Sequence, residues 1–309
     1  MSLILHHYGF SNFSEKVRLM FGYKGLAWDS VEIPSHLPKP DYTPLTGGYR
    51  RTPSLQIGAD VYCDTRLIGE VLEQHCPDPT FYPGARRNRV LAHAIADWAE
   101  SRLLWPVALY VSGINADRLP EAFHRDRATL HGKPVPDAAR VKASAAKYLG
   151  QMRSELTAIE DLFANGALYV LGDDPSLADL ALYHVPWFFD AFEVQHQFLG
   201  DMPLTRQWMD RVGAIGHGQR TELEARDAFE QASAAIPRAI AATDYVAPEG
   251  LHIGDSVMVT PLDEVSPAHG VLAAVDDRRI SITVRNERIK EVRVHFPRSG
   301  YKLSRARSN

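Results

Sequence analysis

The chain has 309 residues, 45% of them hydrophobic and 23% charged, and its 34 Lys and Arg against 38 Asp and Glu give a net charge of −4. Those proportions are ordinary for a globular protein, the length suits about two domains with real cores, and the balance favours neither nucleic acid nor an anionic membrane as a bulk partner. Cys63 and Cys76, without CxxC or zinc-type spacing, exclude a disulfide scaffold and a structural zinc site and fit a reducing compartment.

Met1-Ser2-Leu3-Ile4-Leu5-His6-His7 has no basic n-region, so no signal peptide is expected, and no stretch approaches the roughly 18 apolar residues of a membrane span. A cytoplasmic protein is expected. Leu3-Ile4-Leu5 reads as a short strand, Phe13 to Lys24 as an amphipathic helix and Trp28 to Ile33 as a second strand. Ser54–Ile57 and Asp60–Cys63 read as a hairpin about Gly58-Ala59, and a helix follows from Asp64 to His75. This βαβ-ββα order describes a small mixed sheet covered by helices. Pro77, Pro79, Pro83 and Gly84 mark a linker.

Residues 86–243 carry helical periodicity and no convincing strand. Helices are predicted over Arg86–Ser112, Asp137–Phe163, Ser176–Phe192, Leu204–Ile215 and Glu222–Ala242, with 113–136 as a broken connection. Beyond Tyr245, short β-like runs at Val257–Val259, Gly270–Ala274, Ile280–Val284 and Val292–Phe296 predict a small barrel or sandwich. The fold class is α+β, divided as 1–80, 86–243 and 248–309.

Three short motifs carry chemistry. Ser11-Asn12-Phe13-Ser14-Glu15-Lys16-Val17-Arg18 stands where a strand hands over to a helix. Asn12 with Glu15 is a capping-box-like start, Phe13, Val17 and Phe21 share a face, and Lys16 and Glu15 fall elsewhere. Free N–H groups and the helix dipole beside Ser11 would lower a thiol pKa, and two units of lowering amount to about 2.7 kcal/mol. A plain helix cap is the alternative. Arg51-Thr52-Pro53 opens the third strand, where a proline loses no ladder bond. Asp64-Thr65 opens the next helix; Asp is a good cap and can also pair with an ammonium, while Thr65 can take up a carboxylate.

In this order and spacing the three motifs resemble the glutathione S-transferase family, in which a thioredoxin-like domain is joined to an all-α helical-bundle domain. Ser176-Leu177-Ala178-Asp179 matches that family's Ser/Thr-x-x-Asp capping box, and the resemblance covers residues 1–240. It implies glutathione as substrate, with Ser11 activating its thiol, or Tyr8 in its place. Thr52, before a cis Pro53, would pair with the cysteinyl backbone, and Asp64 and Thr65 would hold the γ-glutamyl end. Arg50 or Arg51 would face the glycyl carboxylate. Phe10, Trp105 and Tyr110 would line the acceptor site for a small hydrophobic electrophile, without a metal, and a homodimer acting in detoxification is implied. Asn12 stands where the family has proline, Asp64 where glutamate is commoner, and serine at 11 argues against disulfide exchange. Cys63 reads as a small buried apolar residue. His6, His7, His184, His196 and His217 show no metal-ligand spacing.

The last segment departs from the family: residues 278–309 hold ten Lys and Arg against Glu287 and Glu291, leaving −12 for residues 1–277. A small antiparallel β-barrel-like module docked on an acidic body accounts for the asymmetry. A nucleic-acid groove is the rival, with only Phe296 and Tyr301 for stacking. The alternative function is a non-catalytic binding or interaction protein working through this basic module.

Overall fold

The computed structural model describes residues 2–190, 199–240, 247, 249–263 and 265–306. In chain order the elements are β1 (Ile4–His7), α1 (Asn12–Tyr23), β2 (Ala27–Glu32), β3 (Ser54–Ile57), β4 (Asp60–Cys63) and α2 (Thr65–His75). Then come α3 (Arg87–Trp98), a wide π-helical turn (Ala99–Leu103), α4 (Leu104–Ile114), α5 (Glu121–Leu130), α6 (Ala138–Leu162), α7 (Leu177–Asp190) and α8 (Pro203–Gly213). After β5 (Gln219–Glu222) and α9 (Ala225–Ala234), the chain ends in β6 (Ser256–Pro261), β7 (Ala268–Val275), β8 (Arg279–Asn286), β9 (Ile289–Pro297) and β10 (Tyr301–Arg305).

The thioredoxin-like βαβ-ββα unit forms as the sequence predicts, and the region after it is mainly helical. β1 runs parallel to β2 and antiparallel to β3, and the hairpin pairs Leu55 with Tyr62 about Gly58 at φ 62°. One core cluster joins Leu5, Phe21, Leu55 and Leu72 to Leu103, Leu156, Leu182 and Trp208 of the helices. The capping box is present: Asp179 accepts from the Ser176 N–H and hydroxyl at 2.9 Å each and from the Trp208 indole at 3.0 Å. No helix among the described residues is long and apolar enough to cross a membrane.

Four predicted segments need correction. The long helix from Arg86 is interrupted at 99–103, because Pro106 has no N–H to return to the preceding turn. The connection 113–136 contains α5, and Pro120 and Gly132, read as breaks, are its ends. β5 lies in the region thought free of strands. Gly216 and Gly218 at φ 67° and 72° end α8 and turn the chain back beside β2; the strand is exposed throughout and shows no apolar alternation. α9 stops at Ala234, where Ala235 turns extended two residues ahead of Pro237, a residue that disfavours helix before it; the predicted ends at Phe192 and Ala242 lie outside the described residues.

The C-terminal strands are antiparallel to one another as expected, but they extend the first sheet. β9 runs parallel to β4, pairing Asp60 with Arg293 and Tyr62 with His295, so that ten strands follow the order β10-β6-β7-β8-β9-β4-β3-β1-β2-β5. The period of two decides what each side of β4 meets. Tyr62 faces the helical core, while Val61 and Cys63 enter a second core with Val257, Ile282, Val294 and Phe296. Across the seam His295 meets Asp60 at 2.9 Å and stacks on Tyr62 at 4.6 Å. Gly47, at φ 63°, accepts the His269 N–H at 2.7 Å, and a Cβ there would stand 2.4 Å from the His269 carbonyl.

Candidate functional site

The site forms where β1 hands over to α1, where the loop before β3 turns, and where β4 enters α2. Ser11 is the N-cap of α1: its Oγ accepts the Ser14 N–H at 3.2 Å, and only 3% of the residue is exposed. Accepting leaves the hydroxyl proton free for an outside acceptor. Asn12 is therefore the first helical residue, and its side-chain amide meets His184 Nδ1 at 3.2 Å. Glu15 does not reach back to close a capping box; it is buried against Arg18 at 2.8 Å and His217 at 2.9 Å. The Tyr8 hydroxyl accepts from Arg127 at 3.2 Å, and its ring lies 4.8 Å from Phe10, which in turn meets Phe123 of α5 at 6.3 Å.

The Thr52–Pro53 peptide bond is cis. Beside it Lys39, 4% exposed, donates to Thr52 Oγ1 at 2.9 Å and to the Arg50 carbonyl at 3.0 Å. Burial pushes this ammonium down to about 7, helped by the charges of Arg127 and Arg50 and opposed by Asp126. Both arginines of the loop are already engaged. Arg50 pairs with Asp126, and Arg51 meets Asp263, from the loop after β6, at 2.5 Å. A ligand carboxylate at Arg51 would compete with Asp263.

Asp64 caps α2 from a φ of 80°, the only positive φ outside glycine among the described residues. Such backbone costs about 1–3 kcal/mol and persists where its surroundings over-determine it. One carboxylate oxygen accepts the Arg66 N–H at 2.9 Å and the other the Tyr301 hydroxyl at 3.0 Å. Burial raises the Asp64 pKa and the charge of Glu100 adds to this, while the Arg66 N–H, Lys16 and Tyr301 oppose it. Thr65 Oγ1 accepts from Lys16 at 3.1 Å, and Lys16, 1% exposed, is ion-paired with Glu100 of the wide turn. Burial alone would raise Glu100, but Lys16 and then His184, 3.7 Å away, bring it down to about 2.

The acceptor residues expected from the sequence are spread out. Phe10 is in the aromatic cluster with Tyr8. Trp105, 44% exposed, meets His131 edge-on at 6.2 Å with Lys133 5.3 Å over its ring. His131 contacts the Asp263 carbonyl at 3.2 Å, so Trp105 and Arg51 share the neighbourhood of that loop. Tyr110 packs on the main core. Cys63 is fully buried in the second core, and its thiol is pushed well above the ordinary range by burial and then by Asp64.

Lys39, Glu100 and Arg127 have no place in the sequence expectations, and Tyr301 figures there only as a stacking aromatic of the rival groove. Lys16 and Glu15, expected off the apolar face of α1, are both buried: Lys16 keeps the 3–4 spacing of Phe13, Val17, Met20 and Phe21, and a charge there needs a partner. No local pattern marks the others.

A sequence model described as glutathione S-transferase, N-terminal domain, matches residues 5–80, and one for the C-terminal domain matches residues 138–211. Among solved structures, a GST-like protein from Pseudomonas syringae is 35% identical over 99% of this chain and 99% of its own, with a TM-score of 0.74. That likeness runs through the added C-terminal strands. A glutathione S-transferase from Rhodospirillum rubrum F11 (18% identity, 76% of this chain and 93% of that one, TM-score 0.53) shares the fold. So does one from Sinorhizobium meliloti 1021 (17% identity, 69% and 89%, TM-score 0.55). A comparison with curated proteins gave no match. The two family domains and the full-length likeness place this chain in the glutathione S-transferase family.

Proposed function

We propose that this protein is a transferase that binds glutathione and activates its thiol for attack on a small electrophile. The observation that carries the reading is Asp64-Thr65: a strained acid and a hydroxyl side by side at a helix N-terminus, with Lys16 donating to the hydroxyl. An ammonium and a carboxylate on one carbon, as in a γ-glutamyl end, match that pair. In this reading Thr52 aligns the cysteinyl backbone and Lys39 supplies a cation beside it. Ser11 donates its hydroxyl proton to the sulfur, and Tyr8, already accepting from Arg127, is the second hydroxyl. The thiol loses its proton to solvent, and the thiolate forms the S–C bond as the electrophile's leaving group departs. Phe10 and Trp105 offer apolar surface to the acceptor. A cytoplasmic homodimer is part of the proposal.

Ser11→Gly tests it, because glycine at an N-cap costs the helix only a few tenths of a kcal/mol while removing the hydroxyl. Thiolate absorbance titrated on the glutathione complex should show a raised thiol pKa in the variant with the melting temperature nearly kept. An unchanged titration removes Ser11 from the mechanism, and absence of calorimetric heat with millimolar glutathione overturns the reading.

A further inference from the structure

We propose that Tyr301, carried to the site by the C-terminal strands, is a positioning residue whose hydroxyl holds the Asp64 carboxylate in the orientation and charge state that receive the ligand's ammonium. The ligand named here rests on the reading of the site as a glutathione site.

Tyr301 is the first residue of β10. Gly300, at φ 85°, turns the chain into it, and the strand pairs Tyr301 with Pro261 of β6. Its ring is fixed in the second core, 5.4 Å from Phe296 and 6.3 Å from Tyr49. The hydroxyl donates its single proton to Asp64 at 3.0 Å, so the Tyr49 hydroxyl, 2.8 Å away, donates to Tyr301. Two buried phenols thus form a chain that ends on one carboxylate, and bonds in such a chain strengthen one another. Packing alone would be served as well by phenylalanine, without the cost of burying a hydroxyl. The same β module reaches the other side of the site through Asp263 on Arg51. A strand added 237 residues downstream therefore finishes a group that the thioredoxin-like unit begins.

The groups facing Asp64 are Lys16 from α1, Glu100 from the wide turn, Tyr49 from the loop before β3, Cys63 on β4, the Arg66 N–H of α2, and Tyr301 itself, with Arg51 acting on both phenols. Only Tyr301 is altered in the test, so the rest form a constant background. Full-length protein is titrated with glutathione by calorimetry from acid to mildly alkaline pH. In parallel, Asp-carboxyl ¹³C resonances are followed, with Asp64→Asn assigning the Asp64 signal.

Tyr301→Phe keeps the ring and should raise the proton affinity of Asp64 by about tenfold, the effect of one lost hydrogen bond to a charged group. The glutathione dissociation constant should then rise by about tenfold on the acid side of the profile and change little on the alkaline side. Replacing Tyr301 by 3-fluorotyrosine, a stronger donor of nearly the same shape, should move both readouts the opposite way, which loss of fold cannot imitate. An Asp64 titration unchanged in both variants overturns the proposal, and so does a shifted carboxyl titration with an unshifted binding profile. If the native protein binds no glutathione at any pH, the functional reading and the ligand named here fall together. The carboxyl titration then still decides whether Tyr301 sets Asp64.

Discussion

Lys16→Met is the perturbation whose size follows most directly from the structure. The lysine is almost wholly buried, donates to Thr65 and pairs with Glu100, whose side chain is 24% exposed. Glu100 sits at about 2 in the folded protein against an ordinary value of 4.5. Its folded value is the lower one, so the stability it contributes is fully present above the unfolded value and is lost as pH falls toward about 2. The difference of some 2.5 units corresponds to about 3 kcal/mol, within the range of about 3–5 kcal/mol for breaking a buried pair by removing one partner. Methionine fills the space of the lysine stem but leaves Glu100 to burial, with His184 as the remaining favourable partner. The carboxyl then lies above its unfolded value and the sign reverses: protonation favours the folded state, and the variant gains stability as pH falls from about 7.5 to about 5. Urea denaturation of both proteins across that interval should show a deficit of about 3 kcal/mol at the upper end that narrows toward the lower. A deficit under about 1 kcal/mol, or one constant with pH, refutes the reasoning.

Lys39 and the C-terminal strands give two further tests. With its ammonium near 7, Lys39 is only partly charged at neutral pH; an anionic ligand beside it raises its pKa, so glutathione binding should take up a fraction of a proton. Calorimetry in two buffers of different ionisation enthalpy measures that uptake, and Lys39→Met should abolish it; proton release on binding contradicts the assignment. Truncation at residue 246 should expose the edge of β4 with Val61 and Cys63, giving a protein that aggregates or melts well below the full chain. A soluble truncated form with an unchanged melting temperature shows instead that the added strands are dispensable.

What could be read from the sequence was local. The Gly58-Ala59 hairpin and the Ser176–Asp179 box have all their determinants within a few residues, and both are found where they were expected. Thr52-Pro53 and Asp64-Thr65 were visible as motifs, but the positive φ of Asp64 was not, because it is imposed by the turn between β4 and α2. β5 escaped because Gln219, Arg220, Thr221 and Glu222 are all exposed, and an edge strand without a buried face has no apolar period to read. The second donor to Asp64 was beyond any local pattern, since Tyr301 becomes its neighbour only when β9 chooses the edge of β4.

That choice also revises the account of the charge asymmetry. The basic stretch invited an electrostatic docking of module on body, yet four of its ten cations are paired within the C-terminal segment itself. Arg285 and Arg293 pair with Glu291, Arg298 with Glu249 and Arg305 with Asp255, while Arg288 crosses the seam to Asp41 at 2.7 Å. Exposed pairs of this kind contribute about 0–1 kcal/mol each and weaken with salt. The seam itself is a backbone ladder with Val61, Cys63, Val294 and Phe296 closed beneath it, and burying four such side chains outweighs one surface pair by several-fold. A seam of that kind is insensitive to salt and fixed in register. Fixed register is what brings a phenol hydroxyl to hydrogen-bond distance of Asp64, because a one-residue slip in β10 would turn Tyr301 to the other face of the sheet.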